Sequence, residues 1–537
     1  MNIDDNRQHN LRLPISRIPN EILSRFFCDL RSNYIWVRHG LKDWITVTHV
    51  CHAWREVALN TSLLWCHIEI LPPVTKPRAQ DLVHAWIPEL LRRSKQSPLT
   101  LIIRWAPSPI LKQLKMHFGR VRELVLYTSS DETLREVFVS KFQNLEVLEI
   151  SDDFPFERDL DSEFILDDSH VRAGCIRHLA LHSYSVDWNS KFLQGLTHLK
   201  LVDIPDACRF GCHDFLLVLS KIPRLETIDL CGFIKEADEG FKAARVHLLH
   251  LRELSVKCPE QEMAQLLPCL VVPRSCKLDI HTGDECDSEE ICDKFRAILS
   301  WVSNQLRVPT TPLPTSNAGE QYIRSLLLLH NPDEEEFTVE GFSDVLSHEQ
   351  METADPVLKF VFFWNYEGSY EESHFSFSLK TILSLLPLEG LVFLDVVTDF
   401  EVYFPPEFWT FTFGSIQTLN EIHLETTTSN FWKALALTDD NCAVKSPSFP
   451  ALTSITVDDH RLKSRHILDN LRIRSELGGT QLQSLVFAGV CRVFPGEVIS
   501  QLGEWVSCIQ VVEGSENEST DEFEDNSPGP SEDDWWR

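Results

Sequence analysis

A six-residue pattern, L-x-x-L-x-L with L any aliphatic residue or Phe, recurs at least eleven times and limits the folds open to this chain. It reads VRELVL (121–126), LEVLEI (145–150), IRHLAL (176–181), LTHLKL (196–201), LETIDL (225–230) and LRELSV (251–256). It returns as IRSLLL (323–328), LVFLDV (391–396), LNEIHL (419–424), LTSITV (452–457) and LQSLVF (482–487). The last three positions alternate as a short strand with one buried face does, so Leu148 and Ile150 are expected to point inward and Glu149 outward. Between copies the apolar spacing turns helical: in HDFLLVLSKI (213–222), Phe215, Leu216, Leu219 and Ile222 share one face. A strand followed by a helix cannot hide its apolar side alone, so neighbouring units must stack.

This is the pattern of an irregular leucine-rich-repeat array. Copies in the first run begin at 121, 145, 176, 196, 225 and 251, so the period wanders between 20 and 31 residues. The Asn or Cys that usually follows the strand is mostly missing: SDDF follows LEVLEI and CGFI follows LETIDL. The competing reading is an ordinary mixed α/β domain in which L-x-x-L-x-L marks generic strands. On the repeat reading the array fills 71–510. It is interrupted at 284–320 by the acidic DECDSEEICDKF and the loop-like PTTPLPTSNAGE, a segment that inserts into the array or divides it into two lobes. If the strands form a horseshoe, its concave face displays the residue between the last two apolar positions: Glu149, Ala180, Lys200, Asp229, Ser255, Asp395, His423 and Thr456. Such a mixture of charges and small groups suits a protein or peptide ligand, with Glu149, Lys200, Asp229, Asp395 and His423 as the candidate substrate contacts.

Composition sets the surroundings. At 537 residues, 43% of them hydrophobic, the chain is too long for one core and rich enough in apolar residues to bury several. Eighty acids against 50 bases leave a net charge of −30, which argues against nucleic acid or an anionic membrane as partner. Fifteen cysteines, an odd number without paired spacing, read as reduced thiols of the cytoplasm or nucleus. The polar start MNIDDNRQHN lacks the core of a signal peptide, and no run approaches the roughly 20 apolar residues of a membrane helix. The last segment, 511–537, carries ten acids and one base with almost no aliphatics and is expected to be disordered. Its Ser519 and Ser531 precede acids, as acidophilic kinases prefer, and Trp535 and Trp536 are candidate anchors for a partner.

Ahead of the repeats, PNEILSRFFCDL (19–30) opens with a proline and an early glutamate, both favourable to a helix start. Ile22, Leu23, Phe26, Phe27 and Leu30 fall on one arc of that helix. A second apolar pattern runs from Val47 to Ala58 and ends in NTSLLWCHIEI (60–70). Four features follow in order: Pro19-x-Glu21-Ile22-Leu23, Val50-Cys51, Trp54-Arg55 and Leu64-Trp65. Over 13–70 the chain thus resembles an F-box, of the F-box-like variety abundant in fungal proteins. The connection CDLRSNYIWVRHGLKDW (28–44) is longer and more aromatic than many F-boxes show.

The resemblance implies a helical module that docks on a Skp-type adaptor, and through it on a cullin, while the repeats hold a protein substrate for ubiquitin transfer by proximity. By the family pattern the adaptor contacts are Ile18, Pro19, Glu21, Ile22, Leu23 and Phe26, with Trp54 and Leu64 nearby. Leu13 and Pro14 form a second Leu-Pro pair, and either pair is open to the docking position. The expected fold class is therefore α+β with repeats: a small helical F-box, an irregular leucine-rich-repeat α/β solenoid and a disordered acidic tail. A rival function is a ligase-independent F-box scaffold.

Catalytic and metal chemistry find little support in the sequence. TVTHVCHAWR (46–55) gathers His49, Cys51 and His52. On a continuous helix from Val47, however, Val47, Val50, Cys51, Trp54, Val57 and Ala58 share one side and the histidines lie on the polar side. Cys208, Cys212 and His213 resemble half of a zinc site without a second pair. No GxxxxGK[ST], GxGxxG, HExxH or GxSxG occurs, and the acid pairs Asp152-Asp153 and Asp167-Asp168 fall in polar loops. No catalytic residue, metal or cofactor is expected.

Overall fold

Parallel strands in sequence order carry the fold. In the computed structural model the described residues are 9–10, 12–34, 45–70, 86–104, 108–128, 130–139, 141–152, 164–172, 174–235, 245–285, 289–307, 323–331, 336–363, 372–398, 404–437, 447–459, 464–488 and 496–512. The tail from 513, with Trp535 and Trp536, lies outside them, as do 35–44 of the long connection and 308–322 of the expected interruption. The chain forms two compact units: Met1–Ile323 with Pro332–Ser343 and Ala354–Pro387, and Arg324–Asn331 with Asp344–Thr353 and Leu388–Arg537.

The first unit starts with a 3-10 turn, Pro14–Arg17, and helix α1 (Asn20–Tyr34). Helices α2 (Val47–Val50) and α3 (His52–Asn60) and a 3-10 turn at Ser62–Trp65 follow. The strands are β1 (His67–Ile70), β2 (Leu99–Ile103), β3 (Val121–Tyr127), β4 (Val147–Ser151), β5 (His178–His182), β6 (His198–Val202), β7 (Thr227–Cys231), β8 (Glu253–Cys258) and β9 (Lys277–Glu285). Each pairs in parallel with the next. The chain then passes β10 (Ser325–Asn331) to the second unit and returns with β11 (Glu336–Phe342) and β12 (Leu358–Phe363). β12 continues the parallel series beside β9, and β11 pairs antiparallel with β12. In the second unit β10, β13 (Phe393–Val397), β14 (Glu421–Glu425), β15 (Ser454–Val457), β16 (Leu482–Ala488) and β17 (Val506–Val512) form one parallel series in that order.

Alternation places two apolar columns under each series. Leu124, Leu148, Leu179, Leu199, Ile228, Leu254 and Leu278 are in register and buried; so are Leu126, Ile150, Leu181, Leu201, Leu230, Val256 and Ile280. The first motif position is buried in all eleven copies, from Val121 to Leu482. Helices cover these columns: in α4 (Cys212–Ser220) and just beyond it, Phe215, Leu216, Leu219 and Ile222 are all buried. Residues 289–306, inside the segment expected as an interruption, form α5 (Glu289–Leu306), whose Phe295, Ile298, Leu299, Val302 and Leu306 are buried at helical spacing. The fold is thus mixed α/β with largely parallel sheet. No helix among the described residues is long and apolar enough to cross a membrane.

Candidate functional site

The N-terminal module is built around α1. The Pro19 carbonyl accepts the N–H groups of Ile22 and Leu23 and so opens the helix, with Glu21 in the first turn. The apolar arc expected to act as one face is divided. Leu23 and Phe27 are buried, and the Phe27 ring packs on Trp54 at 5.1 Å between centroids. Ile22 and Phe26 are 54% and 56% exposed. Leu13, Pro14, Pro19 and Glu21 are also exposed, while Ile18 and Trp54 are half-buried. Leu23 and Leu64, expected as adaptor contacts, are core residues, and a buried side chain supports a docking surface without forming it.

Arg31 fastens this module to the first strand. Its buried guanidinium donates to the backbone carbonyls of Leu64 and His67, and burial lowers its pKa to about 10, so it stays charged. The Trp65 indole N–H donates to the Ala58 carbonyl at 2.8 Å, and Arg93 lies over the Trp65 ring at 4.3 Å.

The stretch 46–55 is not one helix. Cys51 is extended (φ −158°, ψ 170°) and separates α2 from α3. Its Sγ accepts the Trp54 N–H at 3.5 Å, so the thiol caps α3. The break turns Val50, expected in the packed stripe, out to 59% exposure. His49 and His52 are exposed, and His52 faces Glu56 at 3.8 Å.

The strand-centre residues of the first unit lie side by side. Glu149, Ala180, Lys200, Asp229 and Ser255 are in register on adjacent strands, and Asp279 and Lys359 extend the row. Lys200 pairs with Asp229 at 2.7 Å. Ser255 and His281 both bond Asp279, at 3.1 and 2.9 Å. Burial, the largest influence, pushes the Asp279 carboxyl up, but the bond and charge of His281, the bond from Ser255 and the charge of Lys359 together hold it below the usual carboxylate range. A shallow hollow of about 440 Å³ opens here among Asp229, Glu253, Lys277, Asp279, Asp355 and Lys359. Alternating charge in so open a hollow fits a polar chain segment better than a small apolar ligand.

In the second unit the corresponding row is Leu327, Asp395, His423, Thr456, Val486 and Gln510. Asp395 departs from expectation, because its side chain is fully buried and has no surface for a protein ligand. His348, on the short helix α6 (His348–Met351), and His423 cover it. Each imidazole brings Nδ1 to 2.7 Å from a different carboxylate oxygen, and the rings stand 4.6 Å apart. Burial pushes the His348 imidazole down, but its bond to Asp395 and the charges of Asp395, Glu352 and Glu425 hold it above its ordinary value.

His348 carries no signal in the sequence, since it lies outside the repeated strands. Asp279 and Lys359 lie in KLDI and LKF, which keep the alternation and lose the leading apolar residue. Among the described cysteines, burial pushes Cys276 up to about 12 and also raises Cys258, which makes both poor nucleophiles. No protein-family model matches the chain, and no curated protein matches it.

Proposed function

We propose that the chain is a non-catalytic substrate-recognition subunit of an SCF-type cullin-RING ubiquitin ligase. Residues 13–70 act as an F-box on a Skp-type adaptor, and the strand-and-helix units, as irregular leucine-rich repeats, hold a protein substrate. The observation that carries the proposal is the division of α1: Leu23 and Phe27 fasten the helix inward while Ile22 and Phe26, one turn apart, stay in solvent. Leu63 is likewise 63% exposed. Apolar side chains held outward on a packed helical module are the anchors of a helix-docked partner. Their positions are those that the F-box resemblance assigns to the adaptor. On the substrate side, the charged row from Glu149 to Lys359 supports recognition of a polar protein segment. The subunit contributes proximity, which raises the effective concentration of substrate lysines at the ubiquitin donor.

The test is capture of a Skp-type adaptor by the full chain and by an Ile22→Asp/Phe26→Asp variant. Two lost anchors at about 2 kcal/mol each predict binding weaker by about three orders of magnitude, with an unchanged thermal melt because both side chains already face water. Undiminished capture would sink the proposal. Cullin in the captured complex separates a ligase subunit from a ligase-independent scaffold, which needs the adaptor alone.

A further inference from the structure

We propose that His348, Asp395 and His423 form a binding site for a first-row transition-metal dication of the zinc class. The ligating atoms of the three side chains lie within 4.8 Å of one another. Asp395 and His423 are opposite one another on the adjacent parallel strands β13 and β14, which fixes their separation through the backbone. His348 arrives from a segment that is itself tied down. Ser347 and Gln350 close a capping box at the start of α6, and the Ser325 hydroxyl accepts the Leu346 N–H and donates to the Asp344 carbonyl. Three donors from three stretches of chain are thus pre-positioned before any ion arrives.

The charge balance calls for a cation. At 2.7 Å each Nδ1 meets its Asp395 oxygen at hydrogen-bond distance with a proton between them, and a dication would take the place of those two protons after the donors spread to the roughly 3 Å that separates two ligands of one ion. The Asp395 carboxylate is fully buried, and its ion-pair partners among the described residues are these two histidines, with no Lys or Arg. Glu352, 3.9 Å from the Nε2 of His348, and Glu425 add negative potential around the same imidazole. A dication compensates this charge with both imidazoles neutral. Each ring then carries its proton on Nε2, exchanged through solvent, and turns the Nδ1 lone pair to the ion. Two imidazoles and one carboxylate suit zinc, cobalt or nickel and are too rich in nitrogen for calcium or magnesium. The His348 side chain is 37% exposed, which leaves a coordination position open to water or a further ligand.

Fifteen cysteines make bulk zinc uptake uninformative. The probe is therefore Co²⁺, titrated into the full, chelator-stripped and thiol-reduced chain and followed by absorption. One equivalent with d–d bands and no thiolate-to-cobalt charge transfer is expected, displaced by Zn²⁺. His348→Gln should weaken it more than about a hundred-fold. That substitution sits on a partly exposed four-residue helix and keeps an amide able to donate to Asp395, so the chain should still fold, and the metal-free melt, recorded alongside, separates lost binding from lost structure. Asp395→Asn should have the same effect on cobalt, and if it does not fold, His348→Gln decides alone. The proposal falls if no cobalt binds, if the bands are those of thiolate ligation, or if His348→Gln binds as well as the parent chain.

Discussion

Arg31 and His67 show how one buried contact sets the acid response of the N-terminal module. Burial, and then the charge of Arg31, lower the His67 pKa from 6.5 to about 4. The unfolded chain takes up a proton at this position as pH falls through 6.5, and the folded chain waits until about 4. Stability from the neutral His67 is thus complete above 6.5 and is lost as pH falls from 6.5 towards 4, by roughly 3 kcal/mol in total. Urea unfolding at pH 7.5 and 4.5 should show His67→Gln lacking about 2–3 kcal/mol of the parent's acid destabilisation, and an unchanged pH dependence would refute it. Neither residue was legible in the sequence. An arginine on a helix reads as part of the solvated side, and what buries it are the carbonyls of Leu64 and His67, more than thirty positions along the chain. Asp395 was hidden for the same reason: its place on a strand was readable, but the cover supplied by His348 was not.

At the scale of the element, the wandering period conceals a constant register. The second motif position donates to the carbonyl of its predecessor along Arg122, Glu146, Arg177, Thr197, Glu226 and Arg252, and Lys277, at the third position of β9, continues the ladder. A second ladder joins Arg324, Val392, Asn420, Thr453 and Gln483. Length differences are therefore absorbed in the connections, where closure entropy grows only slowly with length. This is why the strands were readable from pattern while the spacing looked irregular. Of the parallel strands outside the eleven copies, β1, β2, β9 and β12 lose only the leading residue, which is Trp65, Pro98, Ser275 or Asp355, and β17 keeps the pattern as VSCIQV (506–511). The helix break at Cys51 was not readable, since an apolar stripe gives no sign of a thiol cap. Leu199 sits mid-column with neighbours on both sides, so Leu199→Ala should cost about 2–5 kcal/mol in chemical denaturation. Lys200→Ala, one position on and half-exposed beside Asp229, should cost less than about 1 kcal/mol. Similar costs for the two would contradict the inward-outward assignment of β6.

For the whole molecule the net charge of −30 is the dominant long-range term. Like charges in such excess oppose the compact state, and added salt screens them. Salt also weakens attractive pairs, but those seen here are mostly exposed, as Arg92–Glu89 and Arg122–Glu146 are, and such pairs contribute little. The repulsive term should win. Raising NaCl to about 0.3 M, where the screening length falls below about 8 Å, should raise the thermal midpoint by a few degrees. Nine of the thirty net negative charges fall after Val512, on the ten acids and one base of residues 513–537, and twenty-one remain on the rest of the chain. A chain ending at Val512 should therefore keep most of the salt effect. If truncation abolished it, the repulsion would reside in the acidic tail; a midpoint that fell with salt would instead show that local ion pairs outweigh the net charge.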